Sequence, residues 1–341
     1  MNYYLFVVKW CRLALVISAM LLTSGLRAED SNVTPSATNQ TTNAASATML
    51  HGKRGTWVWR KQSWLAQADR DALFSFLKKQ GISVILVQIH TDYSGEKPVL
   101  ENQEQLSALL RQAASQHVIV HALDGDPSHI YPPWPEKLSG QIRAVAALNA
   151  SLTGNARFTG VHYDIEPYIL PAFKKEETRL DVCKAYLIAL QTLAQTARAQ
   201  GLEFSVDIPM FFATSEKKKY LDTDEEPDTL LGHVAHIVDW FGLMAYRNKA
   251  SGADGILVHS EADISVMEKL GKKAWIGVET GPNRGDDPPK ITFRNRPVAE
   301  FDGEIKEVES QMAGRKGYGG LLIHSYELYR EYLGQASVTK P

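Results

Sequence analysis

Thr56-Trp57-Val58-Trp59-Arg60 is the first aromatic and β-branched run of the folded part of the chain, and what it lacks decides between two folds. A doubly wound open sheet usually carries a glycine-rich phosphate turn after its first strand, and Trp57-Val58-Trp59-Arg60 holds none. Similar short runs recur at 84–90, 118–123, 160–165, 204–208, 240–245, 275–278 and 320–324. Between and after them lie helical stretches at 70–80, 103–115, 138–148, 180–200, 230–236, 261–270, 298–313 and 326–332. Continuous apolar strands alternating with helices imply a parallel sheet covered by helices. Eight such units over about 285 residues match the size of a closed barrel. The expectation is therefore an α/β chain with a single (β/α)8 TIM barrel over residues 51–341.

Outward from this core the chain changes character. Lys9 and Arg12 precede an apolar run, 13–22, and a small residue, Ala28, stands before Glu29. A basic start, a short apolar core and a small residue at the boundary describe a secretory signal peptide over 1–28. The uninterrupted apolar run falls short of the roughly 20 residues a membrane span needs. The expected location is periplasmic or secreted, with no stable membrane insertion after cleavage. Residues 29–50 are rich in Ser, Thr, Asn and Ala without periodicity and read as a disordered tether. Cys183 is then the one thiol of the mature chain, too few for an internal disulfide or a thiolate metal cluster, and it reads as a small buried apolar group. With 37 basic against 39 acidic side chains, nothing favours nucleic acid or an anionic membrane as partner.

Barrel active sites form where strands end and βα-loops begin. The residues collected there are Trp59, His90, Asp124, Asp126, Asp164, Glu166, Asp207, Tyr246, Glu279, His324 and Tyr326. Acids dominate, and no Ser-His-Asp order, His-Glu-x-x-His or P-loop occurs. The most informative stretch is Gly160-Val161-His162-Tyr163-Asp164-Ile165-Glu166-Pro167. With side-chain period two, His162, Asp164 and Glu166 share the interior face. Two carboxylates so close repel as anions, so one proton is held more tightly than in water. That suits a general acid with a charge-stabilising neighbour.

This strand resembles the Asp-x-x-Asp-x-Asp-x-Glu signature of family 18 glycoside hydrolases, the chitinase-like barrels. Asp239-Trp240-Phe241-Gly242-Leu243-Met244-Ala245-Tyr246 is similar to that family's sixth-strand Met-x-Tyr-Asp motif, and Leu123-Asp124-Gly125-Asp126 sits where its third strand ends. The resemblance implies a proton donor in Glu166, an acetamido-orienting role for Asp164, and a hydrogen bond from Tyr246 to that group as it attacks the anomeric carbon. Met244 is carried over with Tyr246. Thr159 and His162 replace the first two aspartates of the signature, Arg247 the aspartate after Tyr246, and His324 the large aromatic ending strand eight. A carbohydrate substrate is implied, with no cofactor. Trp59, His90, Asp124, Asp126, Trp134, His162, Asp207, Met244, Arg247, His324 and Tyr326 are expected on the substrate side.

Other readings stay open. Many retaining glycosidases on this barrel pair an acid/base Glu ending strand four with a nucleophilic Glu ending strand seven. Glu279 would take the second role if its carboxyl lay about 5–5.5 Å from that of Glu166. Aromatics at strand ends can stack on the C–H faces of sugars. Trp134, on a proline-rich loop, is one expected platform, whereas Trp57 and Phe211 are expected to fill the barrel or pack on helices. His121, Asp124, Asp126, His162, Asp164 and Glu166 are the types that could hold a cation, which would make a metal-dependent hydrolase. A catalytically silent chitinase-like lectin is the remaining alternative.

Overall fold

The structure is a computed structural model that describes residues 52–214, 229–283, 285 and 287–338. The signal peptide, its cleavage point and the tether lie outside the described residues. Eight parallel strands close into a barrel. They are β1 (Lys53–Val58), β2 (Ile82–Gln88), β3 (Ile119–Asp124), β4 (Gly160–Tyr163), β5 (Glu203–Pro209), β6 (Trp240–Met244), β7 (Lys273–Glu279) and β8 (Tyr318–His324). Pairing runs in chain order around the wall, and β1 closes the circle against both β2 and β8. The helices that follow each strand are α1 (Gln67–Gln80), α2 (Gln103–Ser115), α3 (Trp134–Ala150), α4 (Glu176–Ala199), α5 (Leu230–Ile237), α6 (Ile256–Lys269), α7 (Val298–Met312) and α8 (Tyr326–Val338).

The strand alternation sorts side chains between two cores. The larger lies between the wall and the helices and includes Val58, Ile85, Val87, Val120, Ala122, Val161, Tyr163, Phe204 and Val206, with Cys183 buried in it as expected. The smaller fills the barrel with Trp57, Val84, Leu86, Leu123, Trp240, Trp275 and Leu322. Polar side chains share that interior: His121, His162, Ser205 and Asp207 are all buried. Three indoles leave little room, and glycines admit the polar layer. At Gly242 on β6, any Cβ would collide with the Asp207 carboxyl on the neighbouring strand.

Among the described residues, no helix is long and apolar enough to cross a membrane.

Candidate active site

The C-terminal end of the barrel holds a cavity of about 460 Å³. Trp59, Asp164, Glu166, Met244, Tyr246, Glu279 and His324 all line it, so one end of the barrel gathers residues that end or follow β1, β4, β6, β7 and β8. The architecture requires this: interior residues two apart along parallel strands climb to the same rim.

Asp164 is set by a close approach of two loops. Its backbone N–H donates to the Asp124 carbonyl at 2.9 Å, and a Cβ at Gly125 would collide with the Asp164 carbonyl. The turn after β3 can therefore lie against the end of β4 only with glycine there. Asp164 Oδ1 is sealed from solvent and has no hydrogen-bond partner. Asp207, 2% exposed on β5, accepts the Trp57 indole N–H on Oδ2 at 2.7 Å, and His162 Nε2 lies 2.9 Å from the same oxygen. Burial drives the pKa of both carboxyls well above the ordinary carboxylate range, and for Asp164 the charges of Asp207 and Glu166 add to it. The indole donor opposes that rise at Asp207, whereas no donor reaches Asp164 Oδ1. Burial alone lowers His162 to about 3, so it is a neutral imidazole, with Nδ1 2.8 Å from the Ser205 hydroxyl.

Glu166 follows the strand and accepts the Tyr168 hydroxyl on Oε1. Glu279 lines the same cavity; its Oε1 accepts the Gly281 N–H at 2.5 Å, and Oε2 lies 2.8 Å from His324 Nδ1. Burial pushes the Glu279 carboxyl up, but the His324 hydrogen bond, with the backbone donors of Gly281 and Thr280, outweighs it and holds the group below its usual range. His324 faces a conflict. Burial opposes its charge, and Glu279, Asp164 and Asp207 prevail to raise its pKa. Yet its Nε2 accepts the Trp59 indole N–H at 2.9 Å, which requires a lone pair. The hydrogen bond decides the form this geometry holds: neutral, with the proton on Nδ1 and directed at Glu279.

Asp164 gives a stability prediction with a defined sign. Its folded pKa lies above its unfolded one, so the protonated group costs nothing extra below the unfolded value. Stability is lost as pH rises through the raised folded value, because the unfolded chain releases this proton more readily. Asp164→Asn removes the loss. Its thermal midpoint should match wild type near pH 4 and exceed it increasingly toward pH 8, by roughly 2–4 °C for each kcal/mol recovered. Denaturation followed by circular dichroism across that range checks this. A difference independent of pH would show that Asp164 holds no extra proton.

Other expected residues lie elsewhere. Asp124 accepts from the Gly125 N–H and from Gln141 of α3, and Asp126 caps the turn at Ser128. Both satisfy local backbone and helix donors away from the cavity. Trp134 begins α3 and packs against His129 and Tyr93, with the Lys137 ammonium over its ring. Arg247 pairs with Asp254 and donates to the Tyr246 carbonyl. His90 lies two residues past β2 and outside the lining, and its carbonyl accepts the Glu101 N–H. Tyr326, 1% exposed, packs edge-on against Phe76 and accepts from Arg330, so it belongs to the helix layer. Trp57 fills the barrel as expected, but Phe211 is 43% exposed, edge-on to Tyr168. The proposed cation ligands do not converge: His121 lies at the far end of the barrel beside Glu203, the first residue of β5. Among the described residues, no group of three His, Cys, Asp or Glu side chains is placed to hold a metal ion.

Arg60, Asn283, Asp287, Thr292, Ser325 and Glu327 also line the cavity, and motif reading missed them. For Asn283, Asp287 and Thr292 the available signal was loop length: the segment from Glu279 to α7 is long for a βα-loop, and such loops build barrel active sites.

No protein-family model matches the chain, and no curated protein sequence matches it. Solved structures share its fold. A chitinase from Chromobacterium violaceum is 10% identical with a TM-score of 0.50, over 85% of this chain and all of that one. The spore cortex-lytic enzyme of Bacillus cereus is 9% identical with a TM-score of 0.51, over 83% of this chain and 74% of that one. The chain is a single (β/α)8 barrel of the type found in chitinases and related glycoside hydrolases.

Proposed function

We propose that this chain is a glycoside hydrolase acting on a polysaccharide or glycan, with Glu166 as proton donor and Asp164 as its partner. One observation carries the reading: Glu166 borders a cavity at the C-terminal rim beside Asp164, a second carboxyl whose pKa burial raises. Glu166 would pass its proton to the glycosidic oxygen as the bond to the anomeric carbon breaks. The substrate's acetamido oxygen would close on that carbon, with its N–H directed to Asp164 and its oxygen near Tyr246. Water, deprotonated by the Glu166 carboxylate, would then open the intermediate and restore the acid. Glu279 offers a second reading as nucleophile, favoured by the donors that hold it ionised.

A panel of aryl glycosides with and without 2-acetamido groups, run with and without a chelator, tests this. The expected result is phenol release from the 2-acetamido members, unchanged by chelator. Glycan binding with no release from any member would make the protein a lectin instead.

The same reading places the protein outside the cytoplasm, because the basic start, apolar run and Ala28 precede the barrel. Mass spectrometry of native protein should find a mature N-terminus near Glu29. An intact Met1 in the membrane fraction would point to an uncleaved anchor.

A further inference from the structure

We infer that His324 is a positioning residue of the cavity: as a neutral imidazole it latches Trp59 and Glu279 into the wall, and on protonation it lets Trp59 go. The effect on substrate rests on the glycosidase reading, while the movement of Trp59 does not.

The latch is built from strand register. β8 pairs with β7 so that His324 stands beside Glu279, and β1 pairs with β8 so that Thr56 stands beside Ile323. Trp59, His324 and Glu279 therefore form one row across three neighbouring strands, and all three line the cavity. Nδ1 of the imidazole faces Glu279 Oε2 at 2.8 Å, and Nε2 accepts the Trp59 indole N–H at 2.9 Å. One nitrogen donates and the other accepts, which is what a single neutral tautomer supplies. Trp57 also lies edge-on to the ring, at 5.3 Å, but its own N–H is committed to Asp207, so Trp59 is the indole that serves Nε2.

Protonation reverses the role of Nε2. An imidazolium has two N–H groups and no lone pair, so at 2.9 Å the Trp59 N–H would meet another N–H. One of the two rings must then turn away. His324 is held by Glu279, and that bond strengthens when the imidazole is charged. Trp59 is half-buried at the cavity edge, and the backbone N–H of Arg60 beside it is tied to Glu327 at 3.0 Å. The indole therefore swings while the strand end stays.

The groups around His324 set this change near neutral pH. Glu279 from β7, Asp164 from β4 and Asp207 from β5 favour the imidazolium, and burial opposes it. The Trp59 bond opposes it too, because it exists only with the neutral ring. On the remaining sides β6 is followed by Tyr246, its ring 6.1 Å away, and β1 presents the two indoles. Arg60, Glu166, Asp287 and Glu327 line the same cavity.

The test follows the indole N–H signals of the isotopically labelled full chain by NMR from about pH 5 to pH 8. Trp59 is assigned from the signal missing in Trp59→Phe. That signal should shift through one transition near neutral pH. His324→Gln, whose amide can still accept from Trp59 and donate to Glu279 but does not titrate, should hold it fixed. Affinity for the tetramer of β-1,4-linked N-acetylglucosamine, measured by calorimetry, should fall across this range by about tenfold more in wild type than in His324→Gln. If His324→Gln fails to fold, Trp59→Phe decides. Its His324 should titrate about half a unit to one unit higher than in wild type, because the bond that held the ring neutral is gone. A Trp59 signal that stays fixed, or that moves alike in His324→Gln, overturns the inference. So does a His324 titration unchanged by Trp59→Phe, or an equal loss of affinity in wild type and His324→Gln. A moving Trp59 signal with no tetramer binding at any pH upholds the latch and counts against the glycosidase reading.

Discussion

Glu166→Gln should lower the rate on an unactivated glycan by about 10²–10⁴-fold, the usual span for loss of a positioned general acid. The substitution keeps the side chain's shape and its acceptor for the Tyr168 hydroxyl, so the fold should stay intact and binding should change little. The loss belongs to kcat, because an interaction made only in the transition state is removed. Measurement of kcat and KM on the natural polymer, with circular dichroism as a control for folding, checks it. Unimpaired turnover by a folded Glu166→Gln variant would remove Glu166 from the chemistry and leave the cavity as a binding site.

The second large effect concerns what attacks the anomeric carbon. If the acetamido group attacks, Asp164→Asn should cost on the order of 10²–10³-fold in kcat, because the carboxyl can ionise to meet the positive charge developing on that group and an amide cannot. Glu279→Gln should then be mild, with an effect mainly on KM. If Glu279 is the nucleophile, Glu279→Ala should abolish turnover with every leaving group, and sugars lacking the acetamido group should still react. Our account expects the first pattern. Asp164 is a desolvated carboxyl two residues before the acid, whereas both oxygens of Glu279 already serve His324 and Gly281. Asp164→Asn would then gain stability at neutral pH and lose activity, the trade expected of a buried titratable group kept for function.

Much of this was legible in the chain. The eight strands are continuous apolar runs, a pattern that only a sheet covered on both faces tolerates, and all eight appear in the barrel. Period two placed Asp164 and His162 on the interior, and position at a strand end placed Trp59, Tyr246, Glu279 and His324 at the cavity. What lies beneath was not legible. That Trp57 donates to Asp207, and that Gly242 makes room for it, depends on register between strands that no local pattern fixes. Position alone also misplaced residues. Asp124 and Asp126 stand at a strand end as Asp164 does, yet a carboxylate there caps backbone N–H groups equally well. Tyr326 follows β8 by two residues, but α8 begins with it and its ring turns toward Phe76. Glu327, one residue later, lies within the helical stretch 326–332 and nonetheless borders the cavity.

The central claim is that Glu166 delivers a proton to the leaving oxygen, and a leaving-group series tests it most directly. Wild type and Glu166→Gln would be compared on aryl glycosides whose phenols span a range of acidity. With the acid present, the rate should depend weakly on the phenol. Without it, the rate on poor leaving groups should collapse and the rate on the most acidic phenols should approach wild type, because those depart without a proton. Parallel lines for the two proteins, with the same loss at every phenol, would contradict the assignment of Glu166 as proton donor.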